Sequence, residues 1–291
     1  MSAAAFAPKS SRVKANGINI HYLEWGDPKA PPVVLLHGLR GHAHAWDDFS
    51  QALAAKYRVI ALDQRGRGET DWAPDGDYTT DAFAADTEAF CAALGLESFI
   101  LVGHSMGGRN GIMFAARNPK RVAAFVICDV GPDIQPQGAA RIRQELLDAP
   151  EEFDSLDAAV ARTCAENPLA PEPVMRRRVQ YQIKPLSGGR FAWRYDPVIR
   201  DQVRSNTRPT PPDFWGLWTS IKCPVLIVRG AETDILAKDV VTRMLESKPR
   251  GETVEIPKAS HMVFEDNPPE FFVKVSGWMA KQAQAGAKAA A

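Results

Sequence analysis

The feature that most constrains the fold of this chain is segment 103–108, Gly-His-Ser-Met-Gly-Gly, which fits the pattern G-x-S-x-G around Ser105. It lies where the apolar run 99–102 predicts a buried strand and residues 105–118 predict a helix. A serine on so sharp a strand-to-helix turn has a strained backbone and projects its hydroxyl above the sheet, and the glycines on either side let strand and helix approach closely. The pattern therefore predicts a nucleophilic serine. A Gly-rich turn that only connects the elements, or binds a phosphate at the helix N-terminus, is the alternative.

The rest of the chain predicts alternating strands and helices. Asn16-Gly17 lies between two strand-like segments and is a strong hairpin signal. Strands are predicted over 12–15, 18–25, 33–36, 58–62, 99–102, 122–128, 224–229 and 253–256, and helices over 46–55, 80–94, 105–118, 238–245 and 268–282. Because several strands are apolar throughout, we expect an α/β fold: a mostly parallel, doubly wound sheet with helices on both faces.

One long segment interrupts this alternation. Residues 133–222 contain helical stretches and many prolines but no strand of the buried type. We therefore predict a core domain formed by residues 1–132 and 223–282, with a helical insertion over 133–222. The tail 283–291, rich in Ala, Gly and Lys, is predicted to be disordered.

Composition excludes several classes of partner. The 35 Lys and Arg residues balance 35 Asp and Glu residues, so the chain lacks the positive field that nucleic-acid or anionic-membrane binding needs. The longest apolar run near mid-chain, 122–128, has seven residues, against roughly 20 for a membrane-spanning helix. We expect no nucleic-acid partner and no membrane span.

The cysteines and the first residues indicate a cytoplasmic location. The N-terminus has neither a basic region nor an apolar core, so no cleaved signal peptide is expected. The cysteines lie far apart, without the close pairs of a zinc or redox site, and free thiols are expected at Cys91, Cys128, Cys164 and Cys223. No metal-ligand cluster, dinucleotide motif or P-loop is visible, so we expect neither a metal nor a cofactor.

Several motifs together resemble the α/β-hydrolase superfamily, in particular its cap-bearing esterases and lactonases. The resemblance covers about residues 12–281 and is carried by 37–41 (His-Gly-Leu-Arg-Gly), 63–68 (Asp-Gln-Arg-Gly-Arg-Gly), 103–108, Arg229-Gly230 with Asp234, and Ser260-His261. It implies that the 133–222 insertion is a cap over the active site. Haloalkane dehalogenases and related epoxide hydrolases carry a carboxylate where this chain has Ser105, which argues against their chemistry.

The family's chain order, serine then acid then histidine, identifies the partners of the serine. Five of the six histidines precede Ser105, so His261 is the predicted base. The predicted acid is Asp234, which follows the strand 224–229. Asp129, at the end of the preceding strand, is the main alternative because some family members place the acid there. Glu232 is a further rival.

An acyl-transfer site also needs donors for the oxyanion. The loop 37–41 follows the strand 33–36, and its backbone can turn an N–H toward the serine. We predict the N–H groups of Leu39 and Met106 as the two donors. An ordinary glycine-containing turn is the alternative for this loop.

Aromatic residues in the insertion suggest a substrate pocket. Trp193, Trp215 and Trp218 lie within it and are candidates for an apolar lining. Packing of the insertion against the core is the alternative reading for each of them.

These observations predict a serine hydrolase that cleaves carboxylic esters of small to medium apolar substrates through an acyl-enzyme. A lactone, a thioester or a polyester chain end needs no change in these groups, and hydrolysis of a carbon–carbon bond is a more distant alternative. The zero net charge fits an uncharged small molecule or polymer end. The non-enzyme alternative is a ligand receptor on the same scaffold.

Overall fold

The computed structural model describes residues 7–207, 209–248 and 250–290. The strands in these ranges are β1 (Lys9–Ala15), β2 (Ile18–Trp25), β3 (Pro32–Leu36), β4 (Arg58–Leu62), β5 (Phe99–His104), β6 (Val122–Cys128), β7 (Glu152–Phe153), β8 (Ile183–Pro185), β9 (Phe191–Trp193), β10 (Val225–Gly230) and β11 (Gly251–Ile256). The helices are α1 (Asp47–Leu53), α2 (Thr80–Ala93), α3 (Met106–Arg117), α4 (Pro136–Leu147), α5 (Leu156–Glu166), α6 (Glu172–Gln182), α7 (Pro197–Arg204), α8 (Phe214–Ser220), α9 (Lys238–Glu246), α10 (Val263–Asp266) and α11 (Pro268–Ala290).

An eight-stranded sheet with the order β1-β2-β4-β3-β5-β6-β10-β11 organises the structure. The six strands from β4 to β11 in this order are parallel, whereas β1 pairs antiparallel with β2 and β2 antiparallel with β4. Asn16 (φ 48°) and Gly17 (φ 83°) form the turn between the first two strands, as the sequence predicts. The predicted α/β fold with a mostly parallel sheet is confirmed.

Both faces of the sheet are covered by apolar packing. In β3, Val34 and Leu36 belong to the hydrophobic cluster on one face, and Val33 and Leu35 belong to the cluster on the other. All four side chains are fully buried. The unbroken apolar run of this strand is therefore explained by helices on both sides, and the parallel strands carry their carboxyl ends to one edge.

The insertion has its own small core. Helices α4 to α7 and a three-stranded antiparallel sheet in the order β7-β9-β8 lie between β6 and α8. Their apolar residues form a separate cluster that includes Val160, Val179 and Ile199. We use "the insertion" below for residues 136–204. The short strands differ from the all-helical expectation, because strands of two or three residues leave no periodic signal in the sequence.

The C-terminal boundary of the insertion also differs from the predicted residue 222. Helix α8 packs against α3, and Phe214 and Trp218 belong to the same hydrophobic cluster as the sheet strands. Helix α8, which the sequence assigns to the insertion, therefore packs with the sheet domain.

The C-terminal tail is helical rather than disordered. Helix α11 continues to Ala290, whereas disorder was predicted from residue 283. The Ala-rich composition explains the difference, because alanine has the highest helix propensity. Ala291 and residues 1–6, on which the signal-peptide expectation partly depends, lie outside the described residues. Across the described residues, no helix has the length and hydropathy needed to cross a membrane.

Candidate active site

Ser105 occupies the sharp turn between β5 and α3. Its backbone has φ 53° and ψ −120°, a conformation that is strained for a residue with a side chain. The flanking glycines make this turn possible: a Cβ on Gly103 would lie 2.6 Å from the carbonyl oxygen of Gly107, and one on Gly107 would lie 2.4 Å from the carbonyl oxygen of Leu36. The turn thus holds the Ser105 hydroxyl at the carboxyl edge of the sheet.

His261 reaches Ser105 from the loop that follows β11. The Oγ atom of Ser105 and the Nε2 atom of His261 are 2.9 Å apart. Two contacts fix the loop: Asp266 accepts hydrogen bonds from the N–H and the hydroxyl of Ser260, both at 2.7 Å, and the buried His104 donates from Nε2 to the carbonyl of His261 at 2.8 Å. The predicted serine and histidine are therefore brought together across 156 residues of chain.

Asp129 is the carboxylate that contacts His261. Its Oδ2 atom lies 2.9 Å from Nδ1 of His261 and accepts a second hydrogen bond from the Thr233 hydroxyl at 2.5 Å. Its Oδ1 atom accepts the N–H of Gly230 at 2.9 Å. Asp129 is fully buried and has φ 49°, which turns its side chain from the end of β6 toward the loop after β10. With Nδ1–H donating to Asp129, Nε2 is free to accept the proton of Ser105.

The predicted acid, Asp234, is elsewhere. Its two carboxylate oxygens accept hydrogen bonds from Nε and Nη2 of Arg141, each at 2.7 Å. This contact with the guanidinium holds the pKa of Asp234 below its usual value. The prediction that Asp234 supports His261 is therefore wrong for this structure. Asp129, the alternative, contacts His261 instead, because it follows the neighbouring strand β6 and lies at the same edge of the sheet. On the loop after β10, the residue that contacts this carboxylate is Thr233, which donates its hydroxyl to it.

The predicted oxyanion donors lie beside Ser105. Met106 is the first residue of α3, so its N–H has no acceptor within the helix. The carbonyl of Gly38 accepts from Nδ1 of His37 at 2.8 Å and from the N–H of Gly41 at 3.0 Å. The carbonyl of Gly38 and the N–H of Leu39 belong to the same planar, trans peptide unit, so they point in opposite directions. The bonds that hold the carbonyl therefore also fix the direction of the Leu39 N–H. Within the described part of the chain, neither the Leu39 nor the Met106 N–H donates to a protein acceptor.

Burial keeps His37 neutral, and in this form the ring donates to the Gly38 carbonyl that orients the Leu39 N–H. Desolvation lowers the pKa of His37 to about 4. A neutral ring donates from one nitrogen only, here Nδ1 to Gly38. Its Nε2 atom accepts the N–H of Gln64 at 2.9 Å. The loop motif includes this histidine, but no local pattern predicts its contact with Gln64, which lies in the loop after β4.

Two cavities meet at Ser105, and both are also lined by Leu39 and Ile142. One has a volume of about 330 Å³, and we call it the polar lobe; besides His261, its lining includes Arg40, Arg141, Glu145, Glu166, Asn167 and Asp234. The other has a volume of about 410 Å³, and we call it the apolar lobe; its lining includes Met106, Val130, Ile134, Leu146, Ile199 and Phe214. Both volumes lie in the range of small-molecule sites.

The predicted tryptophan lining is wrong, because none of the three tryptophans borders either lobe. Trp193 packs in the core of the insertion and donates to the carbonyl of Pro150. Trp218 is fully buried in the sheet domain, and Trp215 packs against Arg243. Trp193 and Trp218 therefore lie in the separate cores of the insertion and of the sheet domain, which also differs from the alternative expectation that they pack the insertion against the core.

Sequence reasoning missed a chain of ion pairs across the polar lobe. Arg40, in the loop after β3, contacts Glu145 and Glu166 of the insertion, each at 3.0 Å. Arg141 joins the same chain through Glu145 at 2.6 Å and Asp234 at 2.7 Å. Arg40 and Glu145 are 105 residues apart in the chain, so no local pattern could have paired them.

A second chain of serine, histidine and carboxylate is formed by residues of β1, β2 and the loop after β4. Nδ1 of His21 is 2.7 Å from Oδ2 of Asp63, and Nε2 of His21 is 2.9 Å from Oγ of Ser10. Ser10 lies within β1, however, without the strained turn and the helix N-terminus that distinguish Ser105. It provides a matched control for Ser105. No group of three or more His, Cys, Asp or Glu side chains in the described ranges could hold a metal ion.

Comparisons with known proteins identify the family to which this fold belongs. A family model described as the alpha/beta hydrolase fold matches residues 31–268. A 3-hydroxybutyrate-oligomer hydrolase of Cupriavidus necator is 31% identical over 252 residues, which cover 82% of this chain and 86% of that protein. An esterase of Mycobacterium tuberculosis is 28% identical over 270 residues, covering 90% of this chain and 86% of the esterase.

Solved structures show the same architecture. The crystal structure of an alpha/beta hydrolase from Novosphingobium aromaticivorans superposes with a TM-score of 0.83 at 30% sequence identity, covering 94% of this chain and 98% of that one.

Proposed function

The chain belongs to the α/β-hydrolase fold family, and within that family we propose that it is a serine hydrolase that cleaves carboxylic esters through an acyl-enzyme. The observation that carries this proposal is the hydrogen-bonded series from Ser105 through His261 to Asp129, with distances of 2.9 Å at both steps. A serine hydroxyl needs such a base to become a nucleophile.

Each group has a defined role in the proposed reaction. Oγ of Ser105 attacks the carbonyl carbon while Nε2 of His261 takes its proton, and Asp129 stabilises the imidazolium through Nδ1–H. The N–H groups of Leu39 and Met106 bind the oxyanion. His261 then gives its proton to the leaving alcohol as the bond between the carbonyl carbon and the alcohol oxygen breaks. Water, deprotonated by His261, releases the acid and restores the Ser105 hydroxyl.

The insertion serves as a cap in this proposal. Helix α4 supplies Arg141, Ile142 and Glu145 to the polar lobe, and Ile142 and Leu146 to the apolar lobe. Substrate bound at Ser105 is thereby enclosed between α4 and the edge of the sheet, where exclusion of water strengthens the oxyanion contacts.

An oligomeric hydroxyacid ester is a second candidate substrate within the same chemistry. The similarity to the 3-hydroxybutyrate-oligomer hydrolase, at 31% identity over most of both chains, favours it. Lactones and thioesters need the same groups and belong in the same substrate panel. A receptor that retains these side chains without turnover is the alternative that the panel also tests.

The experiment combines a fluorophosphonate label with turnover of p-nitrophenyl butyrate in the wild type and in the variants Ser105→Ala and Ser10→Ala. Loss of serine from a comparable triad lowers kcat by about 10⁶, so we expect Ser105→Ala to lose both labelling and turnover. Ser10→Ala should keep both, although its serine also contacts a histidine. Labelling with at most one product released per chain would instead support the receptor, and full activity in Ser105→Ala would exclude the proposed mechanism.

A further inference from the structure

The two lobes at Ser105 differ in chemistry, and the reaction geometry distinguishes them. The tetrahedral carbon formed on Ser105 carries three other groups: the oxyanion, the leaving oxygen and the acyl chain. The oxyanion must face the N–H groups of Leu39 and Met106. The leaving oxygen must face His261, which protonates it. Only the direction away from His261 remains for the acyl chain.

The direction of the leaving oxygen and the direction of the acyl chain lead into different lobes. His261 lines the polar lobe and not the apolar lobe, whereas Met106 lines the apolar lobe and not the polar lobe. A leaving group that receives its proton from His261 therefore begins in the polar lobe. An acyl chain that points away from His261 enters the lobe beside Met106.

Helix α4 separates the two lobes through its side-chain spacing. Arg141 and Glu145, four residues apart, border the polar lobe, whereas Ala139 and Leu146, seven apart, border the apolar lobe. Residues at these spacings share one face of a helix. Ile142 lies between the two faces and lines both lobes. The helix thus forms a ridge over Ser105.

The polar groups of the polar lobe are held in place. Arg40 contacts both Glu145 and Glu166, and Arg141 contacts both Glu145 and Asp234, so guanidinium and carboxylate groups alternate along the wall. This wall offers both donors and acceptors of hydrogen bonds. Although these groups pair with one another, an alkyl leaving group would remove water from them and offer no hydrogen bond in return, whereas a hydroxylated leaving group can replace that water.

Three arginines border the apolar lobe, and each donates to a backbone carbonyl: Arg67 to Leu39 and Arg65, Arg109 to Pro132, and Arg143 to Val203. Arg109 also stacks on Phe214. The rest of the lining is mostly aliphatic and aromatic, with a smaller polar part that includes Asp81, Asn110 and Gln202, and the volume of about 410 Å³ accommodates a chain of several carbons.

We propose that the protein selects esters with an apolar, medium-length acyl chain and a polar, hydroxylated leaving group, with the acyl chain in the apolar lobe and the leaving group in the polar lobe. This inference rests on the proposed serine hydrolase function. It revises the expectation of a wholly apolar ester, since only one of the two lobes is apolar.

A pair of reversed esters tests the assignment. In 1-octanoylglycerol the acyl chain is apolar and the leaving group is polar, whereas octyl glycerate carries the same two kinds of group the other way round. Pentyl octanoate is a third substrate, because its leaving group matches glycerol in heavy-atom count without hydroxyls. With rates referenced to spontaneous hydrolysis, we expect kcat/KM for 1-octanoylglycerol to exceed that of both others by about tenfold or more.

Two variant pairs separate the lobes. Ala139→Trp adds bulk to the apolar lobe, and Ala140→Trp, at the next position and outside the lining of both lobes, is its control. Arg141→Met removes a polar wall group, and Gln144→Met is its control outside both lobes. We expect Ala139→Trp to slow turnover of octanoyl but not acetyl p-nitrophenyl esters.

For Arg141→Met we expect kcat/KM for 1-octanoylglycerol to fall severalfold, with no change in deacylation of the octanoyl-enzyme. The two steps separate because the leaving group has departed before deacylation begins. A change in deacylation for Arg141→Met, with no change for Ala139→Trp, would overturn the lobe assignment.

The outcomes distinguish this inference from the function on which it rests. If p-nitrophenyl butyrate is hydrolysed through Ser105 but octyl glycerate is the better substrate of the reversed pair, the lobe assignment fails and the hydrolase function stands. Equal rates for 1-octanoylglycerol and pentyl octanoate would overturn the polar-leaving-group part. If no ester is turned over, the proposed function itself fails.

Discussion

Replacing Asp129 by asparagine is the sharpest perturbation of the proposed mechanism. Three donors surround this carboxylate: the N–H of Gly230 at Oδ1, and the Thr233 hydroxyl and Nδ1–H of His261 at Oδ2. An asparagine amide has one acceptor oxygen and an NH₂ group that only donates. Whichever way it is oriented, the NH₂ group faces a donor. If it faces His261, the ring must move its proton from Nδ1 to Nε2, and Nε2 can then no longer accept the proton of Ser105.

The expected loss follows from that wrong tautomer. In a serine, histidine and aspartate triad, the same substitution lowers kcat about 10⁴-fold. At 1.36 kcal/mol for each factor of ten, this corresponds to about 5 kcal/mol of transition-state stabilisation. Asp129 is fully buried, so no water replaces the lost acceptor.

Asp234→Asn is the matched control. The side chain of Asp234 is 28% exposed and pairs with Arg141, whose side chain is 40% exposed. Ion pairs this exposed contribute about 1 kcal/mol or less to the free energy of unfolding. Because Asp234 pairs with Arg141 rather than with His261, kcat should stay within about tenfold of the wild type. The assay is kcat for p-nitrophenyl butyrate, with circular dichroism to show that each variant is folded. Near-normal kcat in Asp129→Asn together with collapse in Asp234→Asn would refute the assignment of the acid.

Three further predictions concern the scaffold. Gly107→Ala places a Cβ 2.4 Å from the carbonyl oxygen of Leu36, so kcat should fall at least about 100-fold and Tm should decrease. In the control Gly277→Ala, the new Cβ in α11 meets open space, so kcat should stay unchanged and the free energy of unfolding should rise by up to about 1 kcal/mol. Equal effects of the two substitutions would contradict the clash. Burial lowers the pKa of His37 to about 4, whereas the unfolded chain binds this proton near pH 6.5, so the free energy of unfolding should fall by about 3 kcal/mol on acidification from above pH 6.5 to pH 4 because of this residue. Urea unfolding across this range measures the loss together with the same effect at the buried His42 and His104, whose pKa values are also lowered. A flat profile would contradict the prediction. Trp218→Ala should lower the free energy of unfolding by about 3–5 kcal/mol because the side chain is fully buried. KM should be unchanged at temperatures where the variant is folded. A raised KM without destabilisation would show that Trp218 contacts the substrate.

Features that depend on local backbone chemistry could be predicted from the sequence. The turn at Asn16-Gly17 requires residues that tolerate positive φ, and the chain has them there. The turn at Ser105 requires glycines two positions away on each side, and the clashes at Gly103 and Gly107 show why. In both cases the residue types that permit the conformation are adjacent in the chain.

The acid could not be chosen from the sequence because the choice depends on long-range contacts. Asp129 and Asp234 both follow parallel strands and reach the same edge of the sheet. Two contacts decide between them: Thr233 donates to Asp129, and Arg141 of the insertion engages Asp234. Neither pairing leaves a pattern in the sequence, since the partners are separated by 104 and 93 residues.

The pocket was mispredicted for a related reason. An aromatic residue in a connecting segment has the same composition signal whether it faces a cleft or a core. Trp218 turns inward toward Met244, whose carbonyl accepts its indole N–H, and leaves smaller aliphatic side chains of α4 to line the site. Composition could indicate that apolar surface was present but not which face it covered.

The central claim is that Ser105 carries the acyl group during turnover. Acid quenching of the enzyme during steady-state hydrolysis of p-nitrophenyl octanoate, followed by peptide mass spectrometry, tests it most directly. We expect one octanoyl group on the peptide that contains Ser105, its absence in Ser105→Ala, and an unmodified Ser10 peptide. Octanoylation at another residue, or full turnover by Ser105→Ala, would show that Ser105 is not the nucleophile.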